Sequence, residues 1–166
     1  MAMPTITTAQ DGDEPYHHRP ASGLTATVVH YERWGWLVLR AGDRLLLTTG
    51  DKVSAVELPA GIGAEVQHHL TVRLLAGPVI VLPGTPHRWL LLTGSADDCV
   101  PVNLIRLRAR GALTHRCGTL VPLPPSCLES GVVSWQVLPS LDGPSLPPFT
   151  AVVAAIRTVT EPTGPA

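Results

Sequence analysis

Residues 53–92 read VSAVELPAGIGAEVQHHLTVRLLAGPVIVLPGTPHRWLLL, and this stretch decides the fold class. Residues 53–58 form an apolar run of strand length. Pro59 and Gly61 break it, after which Ile62, Val66, His69, Leu70 and Arg73 recur at helical spacing until Gly77 and Pro78. Residues 79–82 and 89–92 are again short apolar runs. The Pro83, Gly84, Thr85 and Pro86 segment between them carries turn chemistry, so a hairpin is expected. A strand, a helix over 61–76 and a hairpin in succession call for antiparallel pairing with a helix laid across it.

Working outward, Leu24, Val28 and Tyr31, with Val29 alongside, fit an amphipathic helix that Gly35 ends. Residues 36–39 and 45–48 are joined by Ala41, Gly42 and Asp43, the composition of a hairpin turn. On the C-terminal side, Asp97 and Asp98 suit the positive end of a helix over 101–110, with Pro101 tolerated in its first turn and Gly111 as its stop. Leu113, residues 120–123 and residues 132–138 read as strands, and residues 149–159 as a closing helix. This order implies an α+β domain, a mainly antiparallel sheet with flanking helices, over residues 21–160. Residues 1–20, rich in Asp, His and Pro and poor in periodic apolar side chains, are expected to form a disordered arm. Residues 161–166 read as a flexible tail.

The whole chain of 166 residues is long enough to bury a core without disulfide or metal staples. Lys and Arg number 12 against 13 Asp and Glu, so no global field favours nucleic acid or membrane, and any such affinity needs a local patch. Cys99, Cys117 and Cys127 are odd in number and widely spaced, and the first twenty residues lack an apolar signal core. A cytoplasmic location is therefore expected. No apolar stretch approaches the roughly 18 residues of a membrane-spanning helix, so no membrane partner is expected.

Phosphate-binding glycine loops are absent: neither Gly-x-x-x-x-Gly-Lys nor Gly-x-Gly-x-x-Gly follows a strand. Ser126 and Ser134 lack the elbow signature of a nucleophile. His115, Cys117 and Cys127, even with His68 or His69, do not have the spacing of a zinc knuckle. Between Asp98 and Glu129 the chain holds Arg106, Arg108, Arg110, His115 and Arg116 and no carboxylate. Arg106 and Arg110, four apart on a helix, share a face, so Arg106, Arg110, His115 and Arg116 form a candidate phosphate-binding patch, against the alternative of a solvated helix end. The acidic candidates are Asp51 and Glu57, and the position two before Glu57 on the strand is Ala55.

Several segments, in order, carry a family likeness. They are Gly35 Trp36 Leu37 Val38 Leu39; Leu46 Leu47 Thr48 Thr49 Gly50; Val56 Glu57 Leu58 Pro59; Gly77 Pro78 Val79 Ile80 Val81 Leu82 Pro83 Gly84 with Arg88 Trp89 Leu90 Leu91 Leu92; and Val121 Pro122 Leu123 Pro124 Pro125 Ser126 with Val133 Ser134 Trp135. Together they resemble the N-terminal domain of bifunctional DNA primase/polymerases over residues 24–160. The resemblance implies the archaeo-eukaryotic primase fold and nucleotide joining on a DNA template through metal-bound carboxylates. The family's paired aspartates correspond to Ala55 and Glu57. Trp89 stands where its phosphate-contacting histidine would be, with His87 two positions earlier, and its third aspartate falls near Leu113 or Thr114.

The expected function is therefore a degenerate primase/polymerase-like domain without metal-dependent catalysis, binding single-stranded DNA, a nucleotide or a protein partner, and requiring no cofactor. The alternative is an active nucleotidyltransferase in which Asp51, Glu57 and His87 converge on magnesium or manganese. A purely structural or regulatory domain is favoured if carboxylates from elsewhere fold into the surface of residues 106–116.

Overall fold

A computed structural model describes residues 21–96 and 101–161. The expected arm, residues 162–166 of the expected tail, and Asp97 and Asp98 lie outside the described residues. In chain order the elements are α1 (Ala21–Arg33), β1 (Leu37–Ala41), β2 (Arg44–Thr48), β3 (Ser54–Pro59), α2 (Ala60–Val72), β4 (Val79–Leu82), β5 (Arg88–Thr93), α3 (Pro101–Ala109), β6 (Leu113–His115), β7 (Leu120–Leu123), β8 (Cys127–Leu128), β9 (Gly131–Val132), β10 (Ser134–Val137) and α4 (Phe149–Thr160). This is an α+β architecture, and every strand pair is antiparallel. Among the described residues no helix is long and apolar enough to cross a membrane.

The strands form two principal sheets where the sequence suggests one. A five-stranded sheet runs β10-β4-β5-β3-β6, a three-stranded sheet runs β1-β2-β7, and β8 and β9 make a small hairpin. Alternation along β3 explains the layering. Val56 and Leu58 point to one side, where α2, α3 and α4 cover them with Val66, Leu70, Leu107, Val152 and Ile156. Val53 and Ala55 point to the other, where Leu45, Leu47, Val121 and Leu123 of the three-stranded sheet meet them together with Leu24 and Tyr31 of α1. The five-stranded sheet is thus covered on both faces. Its strands accordingly read as continuous apolar runs, as in Val79–Leu82.

Helix ends follow local chemistry. At the end of α3, Gly111 adopts φ 77°, and Ala112 donates its N–H to the Leu107 carbonyl, closing a Schellman turn. α2 ends at Val72, short of the expected 76. Leu74 takes the left-handed conformation usually left to glycine, with φ 58°, while Leu75 donates to the Leu70 carbonyl and packs against the core. The hydrophobic anchor at Leu75 outweighs the local preference, so Gly77 ends nothing.

Ser126 is a buried linker and not a nucleophile. Its Oγ accepts the Leu45 N–H at 2.7 Å and lies within bonding distance of the Leu45 and Leu123 carbonyls. It fastens the turn after β7 to β2.

Two glycines of α2 separate helix propensity from packing. Nothing lies within 4 Å of a side chain added at Gly61, whereas at Gly63 a Cβ would sit 3.0 Å from Trp89 Cβ on β5. Gly61→Ala is expected to stabilise the fold by about 1 kcal/mol, and Gly63→Val to destabilise it by about 2 kcal/mol. Urea unfolding of the two variants beside the unaltered chain measures both signs.

Candidate functional site

β3 lies between β5 and β6, with Glu57 opposite Leu90 on one side and Leu113 on the other. Side chains two positions along those neighbours share its face. These are Arg88, the first residue of β5, and His115, the last of β6. Arg88 donates through Nε to Glu57 Oε1 and through Nη2 to the Gly111 carbonyl at 3.2 Å. His115 Nε2 lies 2.9 Å from Glu57 Oε2. An ionised carboxylate only accepts, so His115 Nε2 carries the hydrogen. The Glu57 side chain is 14% exposed, so this clamp is largely removed from water. The hydrogen bond from His115 and the Arg88 charge hold the Glu57 carboxyl below its ordinary value, against burial, which pushes it up.

The sequence candidates are distributed over several surfaces. Asp51 is exposed in the turn closed by the Gly50 N–H to the Val53 carbonyl, and it borders a depression with Gly35, Lys52 and Cys117. From Ser54 to Glu57 alone β3 spans about 10 Å, too far for shared metal ligation with Asp51. His87 is exposed at the other end, where its backbone carbonyl accepts the Ala60 N–H. Among the described residues no three His, Cys, Asp or Glu side chains gather as a metal site. The donor set expected for magnesium or manganese does not fit: Ala55 supplies no oxygen, and both Glu57 oxygens are taken by Arg88 and His115. Cys117 and Cys127 are exposed free thiols.

The expected basic patch divides. Arg106 on α3 and Arg110 just past its end do lie on one side. They border a depression of about 500 Å³ between α3 and α4, completed by Ala109, Arg157 and Glu161. Glu161 Oε1 lies 3.8 Å from Arg110 Nη2 and from Arg157 Nε. His115 is not in that depression: it faces Glu57 and borders a second hollow with Ile105, Arg108 and Leu113. Arg116 is also outside it. Its backbone carbonyl accepts the Thr49 hydroxyl, and its Nε is buried without a hydrogen-bond partner among the described residues.

Three side chains of these clusters escape the sequence reading: Arg88, Arg157 and Glu161. Only strand register reveals Arg88 as the diagonal neighbour of Glu57, and only helix packing brings the end of α4 to α3. No protein-family model, curated protein or solved structure matches this chain.

Because the Glu57 pKa is depressed in the folded state, its contribution to stability is complete above the ordinary value of 4.5 and is lost as pH falls through the lowered value. Glu57→Gln is expected to cost about 2 kcal/mol at neutral pH. The deficit relative to the unaltered chain should shrink as pH is lowered below 4.5 and through the depressed value. Chemical denaturation across that range measures both effects.

Proposed function

We propose that this chain is a non-catalytic domain on a primase/polymerase-like frame that binds the phosphate backbone of single-stranded DNA between α3 and α4. The observation that carries the reading is the depression where Arg106, Arg110 and Arg157 converge around one carboxylate, Glu161. Three cations against one anion leave a local positive excess in a protein whose formal net charge is -1. The two ion pairs there are long, at 3.8 Å, and Glu161 is half exposed. Such pairs contribute little, so a phosphate displaces the carboxylate at low cost and gains guanidinium donors suited to its oxygens.

Loss of catalysis is supported at β3. The strand position that the resemblance assigns to one metal-binding aspartate is Ala55, fully buried. The other is Glu57, whose charge is paired with Arg88 and whose second oxygen is hydrogen-bonded by His115. Phosphoryl transfer needs divalent cations held by free carboxylates, and Glu57 is committed to an internal clamp. A second reading, a structural or regulatory interaction domain, draws on the folding of Glu161 and Glu57 into the basic stretch.

Fluorescence anisotropy with labelled single-stranded DNA tests the reading. Three phosphate contacts correspond to a log–log salt slope of about -2, so affinity should fall about 20-fold between roughly 50 and 200 mM salt. Arg106→Ala, Arg110→Ala and Arg157→Ala combined should abolish binding, and Glu161→Gln should strengthen it. Undiminished retention of DNA by the triple variant would overturn the site. Primer synthesis by the pure protein with magnesium or manganese would overturn the non-catalytic assignment.

A further inference from the structure

β1 is the outermost strand of the three-stranded sheet, so among the described residues one row of its backbone N–H and C=O groups has no strand partner. Proteins that remain monomeric blunt such edges with charged side chains pointing outward or inward, a proline, a bulge, or a covering helix or loop. β1, with sequence LVLRA, has no proline, and its one charge is Arg40. Its pairing with β2 runs without a bulge from Leu37–Thr48 to Ala41–Arg44. Its single charge is folded back: Arg40 donates through Nε to the Gly42 carbonyl and through Nη1 to Thr25 Oγ1. Leu37 and Leu39, on the outer face, are 62% and 45% exposed.

We infer that this edge pairs with β1 of a second copy of the chain, antiparallel about a two-fold axis at Leu39. The pairing makes a continuous six-stranded sheet from two three-stranded ones. In an isologous contact of this kind each residue meets the same patch on the other copy. Centring on Leu39 places that residue opposite its own counterpart and Leu37 opposite Ala41, and beyond the strand it sets the turn at Gly35, with φ 74°, against the hairpin turn at Asp43 of the other copy. That juxtaposition supplies charge complementarity. Lys52 Nζ lies 2.9 Å from where a Cβ on Gly35 would be, and Lys52 borders a depression with the outward-facing Leu37 and Thr48. The two-fold therefore brings Asp43 of each copy to Lys52 of the other, twice per dimer. The neighbouring charges, Arg44 beside Asp43 and Asp51 beside Lys52, are also of opposite sign. Asp43, Arg44, Asp51 and Lys52 are all exposed.

One five-residue edge and its flanking turns supply less than the roughly 800 Å² per partner of a standard stable interface, so the dimer is concentration-dependent. This inference is independent of the DNA-binding reading, whose residues lie on α3 and α4.

Sedimentation equilibrium of the full chain from about 1 to 300 µM should show reversible passage from monomer to dimer. Leu39→Lys, which sets two like charges opposite each other, should hold the chain monomeric with an unchanged circular dichroism spectrum. Asp43→Lys and Lys52→Asp should each weaken dimerisation at least tenfold, and the double exchange D43K/K52D should restore it. These turn positions are exposed, so the charge exchange remains decisive even if Leu39→Lys does not fold. A chain that stays monomeric throughout, a dimer unaffected by Leu39→Lys, or a double exchange that fails to recover would each overturn the inference.

Discussion

β3 is covered on both faces, and most of the molecule is arranged by that fact. Val56 and Leu58 commit one face to the helices, while Val53 and Ala55 commit the other to the second sheet. A carboxylate on such a strand cannot stay ionised without cations or donors at close range. Glu57 meets that condition because the register of β5 and β6 delivers Arg88 and His115 to its two oxygens. The same clamp ties three strands together at one end of the sheet. It also takes from Glu57 the freedom that a metal ligand would need.

The proposed phosphate site draws on guanidinium groups at the surface. Arg106 stands on a short helix whose buried anchor among its described side chains is Leu107, Arg110 lies just past its end, and Arg157 approaches from the last helix. In the proposed reading an anion there competes with Glu161, a single half-exposed carboxylate 3.8 Å from Arg110 and Arg157. Salt acts on this competition directly, because little of the interaction is shielded from water.

The elements were largely legible because their signals are local. The hairpin of β1 and β2, the stop at Gly111 and the apolar spacing of Phe149, Val152, Val153 and Ile156 in α4 each follow from neighbours within a few positions. What escaped is what depends on distance along the chain. The addition of β7 to β2 creates the second sheet, and no local pattern marks which strand will join. The early end of α2 arises because Leu75 finds a place in the core, an energetic choice that Gly77 gives no hint of. At the site, helical spacing correctly put Arg106 beside Arg110. It could not bring in Arg157 and Glu161, nor show that His115 would turn inward to a carboxylate 58 residues earlier.

Tyr31 marks another such long-range tie. Its hydroxyl donates to the Pro124 carbonyl at 2.7 Å, burial pushes its pKa up to about 12, and its ring lies 5.6 Å from Trp34, 5.7 Å from Trp36 and 6.3 Å from Trp135. Of the four tryptophans in the chain, three therefore surround this one phenol where α1 docks, while Trp89 lies against α2 in the opposite layer. Three of the four indoles therefore share a single neighbourhood, with the Tyr31 ring at its centre. Detachment of α1 would then alter the surroundings of three indoles at once, while Trp89 alone reports on the helical layer on the far side.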